Sequence, residues 1–289
     1  MPSKSFIVLI VAFWAATSAW LFQRDIWPQL RSEQPPPFGI DLADEARQHT
    51  TTTRWTVLRS ESRIGLVETW VKYRALDNTF EFHSKTERLD IVGLGSVRLR
   101  ATDLQSMYRV NQEGIFRELF LHGKVRLEPF RLDADLHLYG QAKDGWFTPH
   151  GSINVLGKLT NLELEPVPVS PRASVITPLH PLNRIRGLRR GQHWRVPLVD
   201  PLADSLNGMI QKDPALQVLF KRTPGIPTLQ AEVLPRTQQI EYLGKFYGCL
   251  IIEYRGDNVS AHTWVRESDG LVLKQDATLF GDHLTLERN

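Results

Sequence analysis

The chain is nearly free of cysteine. Cys249 stands alone among 289 residues, so no internal disulfide can form, although this says nothing about the compartment. Cys249 lies in the run 246–254 (FYGCLIIEY), which is apolar at both odd and even positions. Such a run predicts a central strand that is covered on both faces. We therefore expect Cys249 to be a buried, unreactive core residue.

The sequence also lacks the spacings that carry catalysis or bind metals. Its nine histidines form neither an i, i+4 pair on a helix nor a His-x-His pair on a strand, which leaves out the usual zinc motifs. There is no Gly-x-Ser-x-Gly motif and no phosphate-binding loop. Asp133 and Asp135 share one side of a strand, about 7 Å apart, but an alternating polar face supplies such pairs by default. We assign no catalytic residue, metal or cofactor.

A strong charge of either sign is absent as well. Lys and Arg (35) exceed Asp and Glu (32) by three, and the isoelectric point is about 9.0. Binding of nucleic acid calls for a concentrated basic face, so we do not expect a nucleic-acid partner. Contact with acidic lipid headgroups stays open.

One long uncharged run is present at residues 5–23. At about 1.5 Å per residue it spans roughly 28 Å, close to the hydrocarbon thickness of a bilayer. A cleaved signal peptide is the alternative, with cleavage after Ala19, but apolar residues continue through 20–22. We predict a transmembrane anchor (or signal peptide) over residues 1–23.

The charges beside this run do not decide its orientation, because Lys4 and the amino terminus precede it and Arg24 and Arg31 follow it. The short tail before the run favours an amino terminus in the cytoplasm. We therefore expect a single-pass protein of the inner (cytoplasmic) membrane with a periplasmic C-terminal domain. Residues 24–53, with prolines at 35–37, are predicted to form a tether.

After the tether, hydrophobic and polar residues alternate, so that every second residue is hydrophobic. The clearest run sets Leu132, Ala134, Leu136 and Leu138 against polar residues at the positions between them. Such alternation places one face on a core and the other in water, which is typical of antiparallel sheets. About a dozen short strands fit, and no long amphipathic helices alternate with them. The pattern predicts a mainly β domain over residues 54–289.

Residues 165–235 break this pattern. They hold 11 of the 18 prolines, a density that excludes central strands, and two short helices fit at 202–209 and 214–221. We interpret the segment as a Pro-rich, partly helical excursion that crosses one end of the sheet. The alternative is a linker between two sheet domains, residues 54–165 and 236–289.

The most distinctive polar feature is a cluster of arginines inside this excursion. These side chains could bind phosphate or carboxylate groups bidentately, and they are our candidate site for an anionic group. The alternative is a solvated loop, or ion pairs with Asp200 and Asp204 just downstream. The candidate residues are Arg184, Arg186, Arg189, Arg190 and Arg195, next to His193.

A resemblance can be placed on these residues. The segments of the chain are, in order, an anchor, a hairpin from Trp55 through Arg63-Ile-Gly-Leu to Trp70, meandering strands and a closing hairpin at 264–274. In this order of its segments the chain resembles uncharacterised bacterial envelope proteins. The exported region of those proteins is similar to the lipoprotein-carrier half-barrel superfamily. The resemblance covers roughly residues 54–288. It implies a curved antiparallel sheet or half-barrel with an apolar concavity that suits acyl chains. It carries no individual binding residue, and the transglutaminase-like Cys, His and Asp of some related proteins are missing.

Three hypotheses stay open. The first, which we favour, is a non-enzymatic, membrane-tethered envelope protein that binds a lipid, lipidated or other hydrophobic partner in its curved sheet. The second is a structural or scaffolding subunit whose solid sheet docks another membrane protein. The third is a hydrolase that uses residues brought together across strands, with a histidine such as His262 or His283 near Cys249, or a histidine near a carboxylate. A cavity inside the sheet would favour the first hypothesis, and a packed interior the second.

Overall fold

The computed structural model of the chain describes most of the predicted β domain and a few residues near the amino terminus. Statements below about what is absent apply to these residues. They are residues 13, 14, 17, 18, 20, 52–92, 98–111, 115–128, 131–169, 182–196, 229–256, 259–279 and 282–289.

The predicted anchor falls mostly outside the described residues. Phe13, Trp14, Thr17, Ser18 and Trp20 are helical, and the Thr17 hydroxyl donates a hydrogen bond to the Phe13 carbonyl oxygen at 2.9 Å. Within the part of the chain that the structure describes, no helix is long and apolar enough to cross a membrane. The anchor therefore stays a prediction.

The chain from Thr53 onward forms strands. They are β1 Thr53–Arg59, β2 Ser62–Arg74, β3 Thr79–Val92, β4 Arg98–Val110, β5 Phe116–Glu128, β6 Leu132–Lys143, β7 Trp146–Val155, β8 Lys158–Leu162, β9 Val167–Pro168, β10 His193–Val196, β11 Leu229–Tyr242, β12 Lys245–Arg255, β13 Val259–Arg266, β14 Val272–Leu279 and β15 Asp282–Arg288.

All of these strands belong to one unclosed antiparallel sheet. Fourteen of them follow the order β10-β11-β12-β13-β14-β15-β1-β2-β3-β4-β5-β6-β7-β8, and β9 pairs with β7. The first and last strands are therefore neighbours, with Trp55 opposite Arg288. The prediction of a mainly β, antiparallel fold is confirmed.

The strands of the sheet end along two opposite borders, where the turns between them lie. Because neighbouring strands are antiparallel, the turns after β2, β4, β6, β11 and β13 lie along one edge, which we call the lower edge. The turns after β1, β3, β5, β7, β12 and β14 lie along the upper edge. Strand β1 begins at the lower edge, so the chain from the predicted anchor enters the sheet there.

The prediction of about a dozen short strands is wrong in number and length, since β3 and β11 each have 14 residues. Register shifts interrupt the alternation inside a long strand, so its full length cannot be recognised from a period of two. The register of β4 shifts between Ala101 and Asp103, so Ala101 and Leu104, three positions apart, both face the core. A strict period of two is lost at such a bulge.

The concave side of the sheet is filled by one hydrophobic cluster. Strands from both halves of the chain contribute to it, so the sheet curves until its halves share a core. Four of its aromatic side chains are at most 2% exposed. Its members include Trp55, Val71, Phe80, Tyr108, Phe116, Leu138 and Phe147 from β1–β7, and Trp194, Leu229, Val233, Ile252, Tyr254, Ala261, Val272 and Leu286 from β10–β15.

Strand β12 is covered on both faces, as its sequence predicts. Leu250 and Ile252 belong to the main core. Cys249 and Ile251 point to the opposite face, where they form a second cluster with Trp264 of β13 and with Leu271 and Leu273 at the start of β14. Cys249 is fully buried, which confirms that part of the prediction.

The described parts of the predicted excursion, residues 165–235, are partly extended. Strand β10 lies within that range, and β11 begins inside it at Leu229. Strand β11 accommodates Pro235 because its register shifts between Val233 and Thr237, which removes the need for a donor at the proline. The predicted helices at 202–209 and 214–221 lie outside the described residues.

Candidate functional site

Residues 182–192, which we call the arginine segment, lie against the β13–β14 turn at the lower edge. The Ile185 amide donates to the Gly270 carbonyl oxygen, and the Val272 amide donates to that of Asn183, at 2.8 and 3.0 Å. Gly270 has φ +75°, and a Cβ there would come within 2.6 Å of the Ile185 carbonyl oxygen. Only glycine therefore fits at this contact.

Acidic residues of the same turn hold the segment by charge. Arg266 donates two hydrogen bonds of 2.8 Å to Asp269, and Arg184 lies 4.0 Å from that carboxylate. The Arg266 hydrogen bonds lower the pKa of Asp269 to about 2 against the opposing effect of burial. Arg190 contacts Glu267 at 2.9 Å.

The five predicted site residues do not meet at one anion site. Arg184 and Arg190 face the acids of the turn. Arg186 lines a cavity of about 420 Å³ between the arginine segment and that turn, while Arg189 is exposed and Arg195 lies on β10. The alternative partners, Asp200 and Asp204, are outside the described residues.

Arg195 lines a second cavity, of about 660 Å³, on the outer side of β10–β12. The lining charges balance, with Arg195 and Arg255 set against Glu232 and Glu253. Arg255 contacts Glu253 at 2.5 Å. A groove with balanced, paired charges gives no net attraction to an anion. Among the described residues, no group of three or more His, Cys, Asp or Glu is arranged to hold a metal ion.

Cys249 does not have the surroundings of a nucleophile. Burial raises the pKa of its thiol to about 11, so the thiol is protonated at neutral pH. Its proposed partners are engaged elsewhere: His262 bonds Asp276 at 2.9 Å, and His283 faces Thr278 at 3.3 Å. The hydrogen bond to Asp276, more than burial, sets the raised pKa of His262.

A row of aromatic and thioether side chains crosses the outer face of β2–β7. Each residue is paired with the next across neighbouring strands. Successive side chains of a strand point to opposite faces of the sheet. The sequence neighbours of the row, such as Val71, Leu119 and Leu138, are buried in the core, so the row itself lies on the outer face. The residues of this row, which we call the aromatic row, are Trp70, His83, Met107, Phe120, Tyr139 and His150.

The aromatic row is exposed on β5–β7 and half-buried on β2–β4. Phe120 and Tyr139 are 40% and 39% exposed. The rings of Trp70 and His83 stack in parallel at 5.0 Å. Burial lowers the pKa of His83 despite its hydrogen bond to Glu81, so the imidazole is neutral at pH 7 and acts as a further aromatic face.

Polar residues flank the row and neutralise one another. On the lower side, Arg109 bonds Glu81 at 3.0 Å and Glu118 at 2.6 Å. Burial pushes the pKa of Glu81 up, but hydrogen bonds from His83 and Arg109 outweigh it and leave the pKa lowered. Glu81 is thus an ionised, satisfied partner, and Arg74, 3.4 Å away, balances the second carboxylate.

On the upper side of the row, two histidines come together. His122 and His137 are opposite each other on β5 and β6, and their rings stack at 4.3 Å. In the sequence the histidines look scattered, and only the register brings this pair together. The outward aromatics Trp70, Phe120 and Tyr139 were a detectable signal, because polar residues are expected on a solvated face.

A third cavity, of about 800 Å³, lies toward the upper edge. Its lining includes the apolar side chains of Ile64 and Leu66 together with Arg63 and Arg88. Both arginines are exposed, and neither has an ion pair with a described residue. The sequence analysis missed this groove because β2 and β3 contribute residues more than 20 positions apart.

Comparisons with known proteins identify no family. No protein-family model matches the chain, and no curated protein matches it significantly. Among solved structures, a β-barrel-like protein of a domain of unknown function from Brucella abortus matches with 9% identity and a TM-score of 0.35. The match covers 83% of this chain and 94% of that protein. A likeness at this level supports no functional conclusion.

Proposed function

We propose that this protein is a non-enzymatic envelope protein, tethered to the inner membrane by residues 1–23, that docks a hydrophobic partner protein on the aromatic row. The observation that carries the proposal is the alignment of six aromatic or thioether side chains on the outer face, while the concave side is filled. Single exposed apolar residues are ordinary, but an aligned set marks an interaction surface.

The surroundings of the row support this function. Protein interfaces have an apolar, aromatic centre and a polar rim, and a few aromatic residues supply most of the binding energy. Phe120 and Tyr139 provide the most exposed centre, and the paired charges of Glu81, Arg109 and Glu118 provide the rim. Arg74, 3.4 Å from Glu81, supplies the second cation, so these charges compensate one another and a partner must match apolar surface rather than charge.

A second candidate is the binding of a lipid or lipidated ligand. The concave side, where the sequence analysis expected an acyl chain, is occupied by the packed side chains of the main hydrophobic cluster. The groove toward the upper edge, however, combines Ile64 and Leu66 with the guanidinium groups of Arg63 and Arg88. An acyl chain on the apolar part and a phosphate at the arginines would match that lining.

Photo-crosslinking of the full chain in cells separates the two candidates. A benzoylphenylalanine replaces Phe120 or Tyr139 in turn, and Lys124, exposed on the same strand β5 as Phe120, gives the matched control. We expect one discrete protein to crosslink at 120 and 139 and not at 124. The same protein should be lost when the other aromatic of the pair is replaced by Asp.

Other results would contradict the docking function. Crosslinks to lipid at a benzoylphenylalanine replacing Leu66, with none to protein at 120 or 139, would favour the lipid-binding candidate. Equal capture at 120 and 124 would show that the aromatic row has no special role.

A further inference from the structure

The hairpin tips of the lower edge carry exposed apolar side chains. Leu76 in the β2–β3 turn is 91% exposed, and Trp146 after the β6–β7 turn is 52% exposed. In the β11–β12 hairpin, Leu243 and Phe246 are 75% and 71% exposed. These three hairpins are separate from one another along the lower edge, so their apolar tips do not form one continuous patch.

Each of these hairpins also carries an unpaired lysine. Lys72, Lys143 and Lys245 are exposed, and none has an ion pair with a described residue. Arg117, at the start of β5, is in the same situation. Apolar tips interleaved with free cations suit a surface where acyl chains lie below anionic headgroups.

The path of the chain points to the same surface. Strand β1 begins at Thr53 on the lower edge, and the predicted anchor ends at residue 23. A random coil of the intervening length would have an end-to-end distance of about 30 Å. The lower edge is therefore the edge that the tether holds near the bilayer.

Turn chemistry gives no reason for a leucine at the tip of β11–β12. Leu243 and Gly244 both have positive φ, 51° and 71°, as in the two-residue turns that favour Asn-Gly or Asp-Gly. Leu156 and Gly157 form the same kind of turn on the upper edge, with φ 52° and 81°. Leu156 is 85% exposed, so this turn is a matched control on the opposite edge.

We propose that the lower edge is a membrane-contact surface, with the tips at Leu76, Trp146, Leu243 and Phe246 inserted among anionic lipid headgroups. This inference rests on the proposed membrane tether. Trp146 suits the interface, where indole rings collect. The three lysines lie against the headgroup phosphates, and the sheet stands with its upper edge away from the bilayer.

The experiment measures the depth of nitroxide labels on the full chain in vesicles of phosphatidylglycerol and phosphatidylethanolamine. Labels are placed at Leu243→Cys or Leu156→Cys in a Cys249→Ala background. We expect the label at 243 to be at least about threefold less accessible to a water-soluble nickel complex than the label at 156, because the headgroup region excludes the complex. Accessibility to oxygen should change in the opposite direction.

A second variant tests the tips without disturbing the fold. Leu243→Asp suits its turn and should return a label at Leu76→Cys to aqueous accessibility, whereas Leu156→Asp should not. Equal nickel accessibility at 243 and 156 in protein that floats with the vesicles would overturn the contact surface alone. Protein that does not float with vesicles would overturn the tether and this inference together.

Discussion

At the scale of single residues, the arginines of 182–195 illustrate how a charged sequence feature can serve the fold. Arg184 and Arg190 face the β13–β14 turn, and the half-buried pair of Arg266 and Asp269 is the strongest ion pair there. The candidate anion-binding cluster is therefore divided between fixing the arginine segment and lining two separate cavities.

Replacing Asp269 tests this role. Asp269→Asn should lower the free energy of unfolding at pH 7 by about 1–2 kcal/mol, less than the full pKa shift implies because the pair is partly solvated. The pKa of Asp269 is lowered from 3.8 to about 2, so its contribution is present above pH 3.8 and is lost as the pH falls toward 2.

Denaturant unfolding of both proteins between pH 2 and pH 7 measures this difference. The curves should converge at the acid end. A gap of constant size at all pH values would mean that the carboxylate charge has no part in the effect.

At the scale of strands, close packing on the concave side limits which side chains fit at particular positions. Gly140 on β6 faces Phe147 of β7, and a Cβ at that position would overlap the Phe147 ring and reach within 3.0 Å of the Thr148 carbonyl oxygen. The ring occupies the space that a side chain would need, so the glycine allows β6 and β7 to pack with Phe147 fully buried.

Gly140→Ala should therefore lower the free energy of unfolding by about 1–3 kcal/mol, the usual cost of overpacking. Gly248→Ala on β12 is the matched control, since its Cβ would meet only the flexible ends of Glu267, at 3.2 Å, and Gln239, at 3.7 Å. Thermal unfolding of the two variants compares them directly, and an equal loss in both would contradict the packing argument.

Strands show clearly what could be predicted from the sequence. Alternation at 132–138 identifies β6 and its inward face, and the doubly apolar run around Cys249 identifies a central strand. Neither fixes the register, because pairing partners lie far apart in sequence. The outward aromatics can be noticed in the sequence, but their alignment in one row and the stacking of His122 on His137 exist only through that register and could not be predicted.

At the scale of the whole molecule, Arg288 connects elements that are distant in the chain. It donates hydrogen bonds to the Asn183 side-chain oxygen at 2.7 Å and to the Val272 carbonyl oxygen at 3.2 Å. Its guanidinium also lies over the Trp55 ring, 5.7 Å from the centroid. The side chain thus joins β15 to the arginine segment, to β14 and to β1.

Arg288→Met should lower the free energy of unfolding by about 2–3 kcal/mol, because it leaves partly buried acceptors without a charged donor. Amide exchange around Asn183 should accelerate more than exchange in β5. Arg54→Met is the control: its side chain is 70% exposed and pairs only with Glu68, so it should cost less than about 0.5 kcal/mol. A similar loss for both variants would contradict the linking role.

The pairing of β1 with β15 has a consequence for biogenesis. The hydrogen bond between Thr56 and Asn289 joins residues 233 positions apart, so a nascent chain emerging amino-terminus first leaves one side of β1 without its partner until β15 has been synthesised. Contacts of such long range form late because loop closure must precede them. Until then the unpaired side of β1 is open to binding by a chaperone, and a circular permutant that makes β15 and β1 consecutive should acquire its native fold faster.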